Sequence, residues 1–554
     1  MSDGSDVFEV GTVDDGGTTL LAFVHTPPSL RAVWEASAAH GDAPYLVYED
    51  DTWTFAQAHA TVRRLARRLA DSQELGVAKG DRVAIAMRNY PEWALTLWAA
   101  TSVGAVVVPL NAWWTGPELA YGLQQSGATV LFADGERLER LAPHLGDTPV
   151  RATVAVRAGG PDGALNWADA IGGPDVDGLP DVAIGPTDDA TIMYTSGTTG
   201  RPKGAVGTHR NVTAHLMNAL YAASLNLTSN PDAPPAPPAT LLTFPLFHVG
   251  GFHSFLLPYT AIGGKVVLMY RWGAAQALDL VEREGVTAIG GVPTTMFELL
   301  DEARRQGRTE ALASLSGVAS GATLVPPELV RRIDQQLASK AAPGNGYGLT
   351  ETSGAAVANG GEAYLAHPDS VGRPIAPVME VRIADPAGEP VATGEVGEIW
   401  IKGPTVIRGY WDDPEATSAA ITDGWFHTGD AGRLDADGFL YVVDRLKDVV
   451  VRGGENVYAA EVEAALYEHP DVTEAAIVGV PDERLGEEVV AVVRLRDGAT
   501  TGPDDLRAHV AGRLAAFKVP AVVHLTGETL PRNAAGKVLK RQLRDELVAA
   551  VDAH

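Results

Sequence analysis

Four short segments combine residue types that can do chemistry on phosphates. The first reads Tyr194-Thr195-Ser196-Gly197-Thr198-Thr199-Gly200-Arg201-Pro202-Lys203-Gly204. Glycines let the backbone approach a phosphate closely. Hydroxyls and backbone N–H groups donate to its oxygens, and Lys203 adds charge. Gly204, rather than Ser or Thr, follows that lysine, so this is not the phosphate loop of the nucleoside triphosphatases. The second segment is Asn345-Gly346-Tyr347-Gly348-Leu349-Thr350-Glu351. Its aromatic ring, hydroxyl and carboxylate can stack a base, touch a phosphate and hold Mg2+. Taken alone, it reads equally as a glycine-rich turn before a helix. The third is Gly424-Trp425-Phe426-His427-Thr428-Gly429-Asp430, followed by Asp444-Arg445. Asp430 suits two vicinal ribose hydroxyls, with a tight turn as the bland alternative. The fourth is Pro531-Arg532-Asn533-Ala534-Ala535-Gly536-Lys537. Around it fall Arg532, Lys537, Lys540, Arg541 and Arg544 without an intervening acid, which alone would read as a solvated basic tail.

Alternating helices and short β-branched strands must position these segments. Strands are expected at 82–87, 105–109 and 129–133, and helices at 54–71, 91–102 and 117–126. The rhythm recurs with strands at 190–194, 240–243 and 265–269. Such βαβα order implies parallel sheets covered by helices on both faces. The first segment follows an apolar strand and precedes a helical stretch. Residues 229–239 are proline-rich and read as an exposed loop. Residues 385–410 read as a small β unit, and turns dominate 423–439. Beyond Arg445 the pattern becomes a compact α+β one. Helices are expected at 460–468 and 503–514, and strands at 474–480 and 488–495. A boundary near 445–447 divides 1–445 from 446–554.

Composition narrows the classes. The chain has 554 residues, with 43 Lys+Arg against 70 Asp+Glu, a net charge of −27. That balance disfavours nucleic acid and anionic membrane surfaces as partners. Cysteine is absent, which excludes disulfides, thiolate metal sites and an enzyme-bound cysteine nucleophile. The apolar run 94–110 is interrupted by Thr96, Thr101, Ser102, Gly104 and Pro109, and reads as a buried helix leading into a buried strand. The acidic, polar start lacks a secretory pattern, so a cytoplasmic protein without a membrane span is expected.

Together the four segments resemble the ANL superfamily of adenylate-forming enzymes, in its acyl-CoA synthetase branch. The resemblance extends from about Thr54 to Leu547 and includes Pro245-Leu246-Phe247-His248-Val249-Gly250-Gly251 and Ser320-Gly321-Ala322. It implies an α/β fold: a large N-terminal domain of two stacked α/β subdomains and a small β-barrel-like unit, with a small mobile α+β C-terminal domain. It implies ATP, Mg2+ and CoA as cosubstrates, with no prosthetic group. It also implies two steps, acyl-adenylate formation with release of pyrophosphate and then displacement of AMP by the thiol of CoA.

The same resemblance distributes roles. Lys537 would bridge carboxylate and α-phosphate. Thr195, Ser196, Gly197, Thr198, Thr199, Gly200 and Lys203 would hold the β- and γ-phosphates. Thr350 would bind the α-phosphate and Glu351 the Mg2+. Tyr347, with Gly346, Gly321 and Ala322, would lie against the adenosine. Asp430, Val442 and Arg445 would hold the ribose and phosphate side. Arg452, Gly453 and Gly454 would serve CoA, with Lys447 as hinge. His248 is both a catalytic and an acyl-site candidate, joined at the acyl site by Gly250, Gly251, Gly321, Gly346 and Gly354. Relatives commonly have Pro after Asn456-Val457-Tyr458, where this chain has Ala459-Ala460.

His248 stands where amino-acid-activating relatives place an Asp nearby, which disfavours an α-ammonium substrate. The small residues at the expected pocket, among them Ala355 and Ala356, point to a bulky hydrophobic acid: a fatty, aryl or polycyclic acid. No carrier-protein segment follows residue 550, which weighs against a peptide-synthetase module. The alternatives are a stand-alone adenylating enzyme that loads a carrier protein, an enzyme of the thioester half-reaction only, and a catalytically silent nucleotide binder. A homodimer is a candidate assembly. His248 with His253 as metal ligands is a competing reading, disfavoured by a spacing that leaves one helical face.

Overall fold

The computed structural model describes residues 7–161, 163–195, 201–229, 237–321, 325–337, 341–375, 377–482, 484–532 and 537–552. They form two compact units. One comprises Met1–Glu380 and Ile401–Phe426, the other Val381–Trp400 and His427–His554.

In the first unit the helices begin where the capping chemistry puts them. Thr54 caps the helix Phe55–Asp71, its hydroxyl accepting from Gln57 N–H while the Gln57 side chain returns to the Thr54 N–H. Pro91 opens Pro91–Ser102, every residue of which is buried. The strand Val106–Pro109 that follows is buried throughout. The interrupted apolar run is therefore core, and no helix among the described residues is long and apolar enough to cross a membrane.

Among the described residues of this unit, two sheets dominate. One has the strand order Gly409–Tyr410, Gly204–Thr208, Asp189–Tyr194, Val106–Pro109, Arg82–Ala86, Val130–Asp134, Ala152–Val156, Leu165–Asn166. The other runs Arg373–Pro374, Gly354–Gly360, Ala342–Leu349, Gly317–Gly321, Ala288–Gly291, Ala239–Leu242, Lys265–Leu268, Pro44–Tyr48, Asp51–Thr54. Their central strands are parallel, as the βαβ rhythm requires. In the second sheet, Ala239–Leu242 has Lys265–Leu268 on one side and Ala288–Gly291 on the other. The chain reverses its direction of winding there. Open α/β sheets bind ligands outside the carboxyl ends of their strands at such a switch.

Three expectations need correction. The first segment does not lead directly into a helix: Lys203 is followed by the strand Gly204–Thr208, which pairs antiparallel with Asp189–Tyr194, and the helix starts only at His209. Asn345 to Leu349 is the end of a strand, Ala342–Leu349, rather than a turn, and the helix that follows is the single 3-10 turn Thr350–Thr352. The stretch 423–439 contains the ten-residue strand Trp425–Leu434, whose glycines had mimicked turn composition.

In the second unit, Val472–Asp482 and Gly486–Leu495 pair antiparallel, and Val522–Thr526 adds parallel to the latter. Alternation puts Ala475, Ile477, Val489 and Ala491 on the face covered by the helices Ala459–Tyr467 and Pro503–Ala511. Ala476, Val478, Val490 and Val492 face Leu530 and Leu543, the latter on the helix Lys540–Asp552.

Candidate active site

In the first unit the site candidates collect at the carboxyl ends of parallel strands. Gly321 ends its strand directly opposite Gly346. A Cβ on Gly321 would lie 3.3 Å from the Gly346 carbonyl oxygen, and one on Gly346 would lie 3.0 Å from the Ala355 Cβ. Larger residues at either position would press on neighbours beside Tyr347. The chain then turns through the single 3-10 turn Thr350–Thr352. That turn is fixed by the Thr352 hydroxyl, which accepts from Leu349 N–H and donates to Gly354 O. It presents Thr350 and Glu351 in succession, and Ile407 N–H donates to the Glu351 carbonyl.

Tyr410 was not singled out in the sequence, yet it organises this corner. Its hydroxyl donates to Glu351 Oε1 at 2.9 Å, and Lys203 Nζ stands 5.0 Å from its ring centroid. Burial, and next the Glu351 charge, push the phenol well above its usual range, so it remains a donor. The hairpin base beside it is closed by Thr195 N–H on Lys203 O at 2.9 Å. A cleft of about 440 Å³ is lined by Tyr121, Gln125, Arg201, Lys203, Tyr410 and Asp413, among others. Ser196, Gly197, Thr198, Thr199, Gly200 and Ala322 lie outside the described residues. A single carboxylate suits Mg2+, which takes one or two protein carboxylates and completes its shell with water and substrate phosphates. Glu351 fits that pattern.

His248 directly precedes the short helix Val249–Gly251, its ring centroid 4.7 Å from that of Phe247. At two of the glycines expected at the acyl site, the missing side chain does not leave open volume. A Cβ on Gly251 would run into the Pro245 carbonyl oxygen, and one on Gly354, at φ +124, would strike the His215 ring. Backbone and imidazole already occupy that space. A Cβ on Gly250 would lie 3.3 Å from the Phe244 ring. His253 is buried, and its Nδ1 lies 2.8 Å from Ser353 O, so it serves the fold rather than pairing with His248. Among the described residues no cluster of three or more potential metal ligands is found.

In the second unit, Asp430 and Arg445 face each other across antiparallel strands, with Arg445 Nε 3.4 Å from Asp430 Oδ1. Val442 is paired with Gly432 on the same two strands. Lys447 lies in the turn Leu446–Asp448, where burial lowers its pKa. Arg452 begins a tight turn through Gly453 and Gly454, both at positive φ. Its guanidinium makes a two-point contact with Glu488. Ala459 opens the helix Ala459–Tyr467, so the missing proline changes only the first helical position. Lys537 directly precedes Val538, which bridges antiparallel to Arg532.

Comparison with known proteins agrees with this arrangement. Residues 33–411 match the family model of the AMP-binding enzyme, and 461–537 that of the AMP-binding enzyme C-terminal domain. The chain is 40% identical to a feruloyl-CoA synthase of Amycolatopsis sp over 495 residues, covering 89% of this chain and 93% of the relative. It is 36% identical to an indoleacetate–CoA ligase of Aromatoleum aromaticum, covering 90% and 93%. The solved o-succinylbenzoate coenzyme A synthetase of Bacillus subtilis, in complex with ATP and magnesium ion, superposes with a TM-score of 0.78 at 32% identity, covering 93% and 99%. ATP with Mg2+ and CoA are the cosubstrates of such an enzyme. The chain belongs to the AMP-binding enzyme family within the ANL superfamily, and is an AMP-forming acid–thiol ligase of the acyl-CoA synthetase kind.

Proposed function

We propose that the enzyme joins an aromatic or similarly bulky hydrophobic carboxylic acid to CoA in two half-reactions on one chain. A carboxylate oxygen attacks the α-phosphorus of ATP and pyrophosphate leaves, giving the acyl-adenylate. The CoA sulfur then attacks the acyl carbon, and AMP leaves. The first step is needed because a carboxylate is a poor electrophile, whereas AMP is a far better leaving group than hydroxide. Charge gathers at the α-phosphate in that step, so positioned donors and cations carry the rate.

Lys537 is assigned to bridge carboxylate and α-phosphate, with Thr350 donating to the latter. Residues 195–203 are assigned to the β- and γ-phosphates, Tyr347 to adenine, and Asp430 with Arg445 to the ribose side. Glu351 would hold Mg2+, which when bound neutralises phosphate charge. Arg452, Gly453 and Gly454 are assigned to the second half-reaction. The segments 1–445 and 446–554 are taken as the functional halves, with Lys447 as hinge. The adjacent glycines Gly321 and Gly346, which keep the strand ends beside Tyr347 free of side chains, carry the substrate reading. Relatives named for feruloyl and indoleacetate groups support its aromatic side.

The test is a panel of carboxylic acids with ATP and CoA, reading acyl-CoA by mass. Aryl acids are expected to give the highest kcat/KM, and a preference for short aliphatic acids would overturn the substrate reading. Replacing CoA by a holo carrier protein is expected to lower turnover.

A further inference from the structure

The described residues on either side of Lys537 are held by carboxylates on other elements of the second unit. On the entering side stands Glu474, on the strand Val472–Asp482 and 7% exposed. Its Oε2 accepts the Leu530 N–H at 2.7 Å, and its Oε1 accepts Arg532 Nη2 at 3.3 Å. On the leaving side Lys540, the first residue of the helix Lys540–Asp552, places Nζ 2.8 Å from Glu463 Oε1. That oxygen also accepts the Ile477 N–H at 2.7 Å. Between the grips the chain closes on itself, with Leu539 N–H donating to Pro531 O at 2.8 Å and Arg532 bridged to Val538. Lys537 sits one residue inside that closure.

Burying charge here needs a reason. Ion pairs taken from water lose much of their attraction to desolvation, and an apolar residue of similar volume is often as stable. What an apolar contact lacks is direction. Lys540 is held protonated against its burial by Glu463 first and Asp444 next. Asp444 is 5% exposed and accepts the N–H groups of Ala460 and Arg445. These charges pin the first turn of the terminal helix to one place, and with it the backbone three residues earlier.

We propose that Lys540 with Glu463, and Glu474 with Arg532, are positioning groups that fix where the Lys537 ammonium lies and thereby govern adenylation alone. The proposal rests on the assignment of Lys537 to the first half-reaction. The experiment measures the two half-reactions separately on the full chain: acid- and ATP-dependent pyrophosphate exchange, and thioester formation from a supplied acyl-adenylate with CoA. Misplacement by about an ångström costs on the order of a hundredfold, so Lys540→Met is expected to lower the kcat of exchange by about tenfold to a hundredfold. Its thioester formation should stay within about twofold of wild type. Lys540→Arg, which can still face both carboxylates, should restore exchange. Glu474→Gln turns an amide toward Arg532 and should show the same split; it serves if thermal unfolding shows that Lys540→Met does not fold. Exchange within about twofold of wild type in the folded variants, or an equal fall in both half-reactions, overturns the proposal. Lys537→Ala run in parallel should abolish exchange and spare thioester formation. If exchange survives that change, the assignment of Lys537 itself fails.

Discussion

Tyr410 meets two opposite charges on one phenol ring. Its hydroxyl holds Glu351 and its face holds Lys203, so one side chain couples the metal candidate to the phosphate candidate. Tyr410→Phe keeps the ring and removes only the donor. A hydrogen bond to a charged group contributes roughly 1.5–3 kcal/mol, so the KM for MgATP in pyrophosphate exchange should rise by about tenfold to a hundredfold. An unchanged KM would show that Glu351 is oriented by other means. The buried histidines act on stability instead. Burial lowers His215 to about 3 and His253 to about 4, below the ordinary 6.5. Both are neutral in the native state, whereas the unfolded chain takes up their protons below about pH 6.5. Their contribution is therefore complete above that pH and is lost as pH falls toward 4, by about 1.4 kcal/mol per unit for each group. Denaturant unfolding at pH 7 and pH 5 should show this loss, and His253→Gln should reduce its slope.

At the scale of elements, glycine has two meanings that composition does not separate. Gly251 lets a helix start against the Pro245 carbonyl, and Gly354 lets a strand pass the His215 ring. Gly321 instead lies at a strand end where, among the described residues, a Cβ would meet the Gly346 carbonyl at 3.3 Å. Gly251→Ala should therefore lower stability by about 1–3 kcal/mol while leaving the order of preferred acids unchanged. Gly321→Leu should penalise the largest acids selectively, as kcat/KM across the panel would reveal. Equal loss for every acid would remove Gly321 from the acyl site. Helix and strand positions themselves were legible to within a few residues. The expected helix 91–102 is Pro91–Ser102, and the expected strand 488–495 is Gly486–Leu495. Proline at the first turn, capping hydroxyls and period-two alternation are local signals. The strand Trp425–Leu434 was missed because its Gly429 and Gly432 look like turn residues, and pairing with other strands, Leu440–Arg445 among them, makes it a strand.

For the whole molecule, a net charge of −27 coexists with polyanionic cosubstrates because the cations are placed individually. Arg452 is matched by Glu488 and Lys540 by Glu463, while Lys203 rests on an aromatic face. The sequence by itself determined the alternating α/β architecture and the order of the motif residues, both written in short windows of spacing and residue type, and its resemblance to the ANL superfamily implied the adenylate-forming chemistry. Only the tertiary structure decided which glycines stand against backbone or imidazole, that Tyr410 meets a carboxylate 59 residues away, and that Glu463 and Glu474 hold residues on either side of Lys537. Those contacts join residues distant in the chain, where burial and partner geometry, rather than local propensity, set the energy.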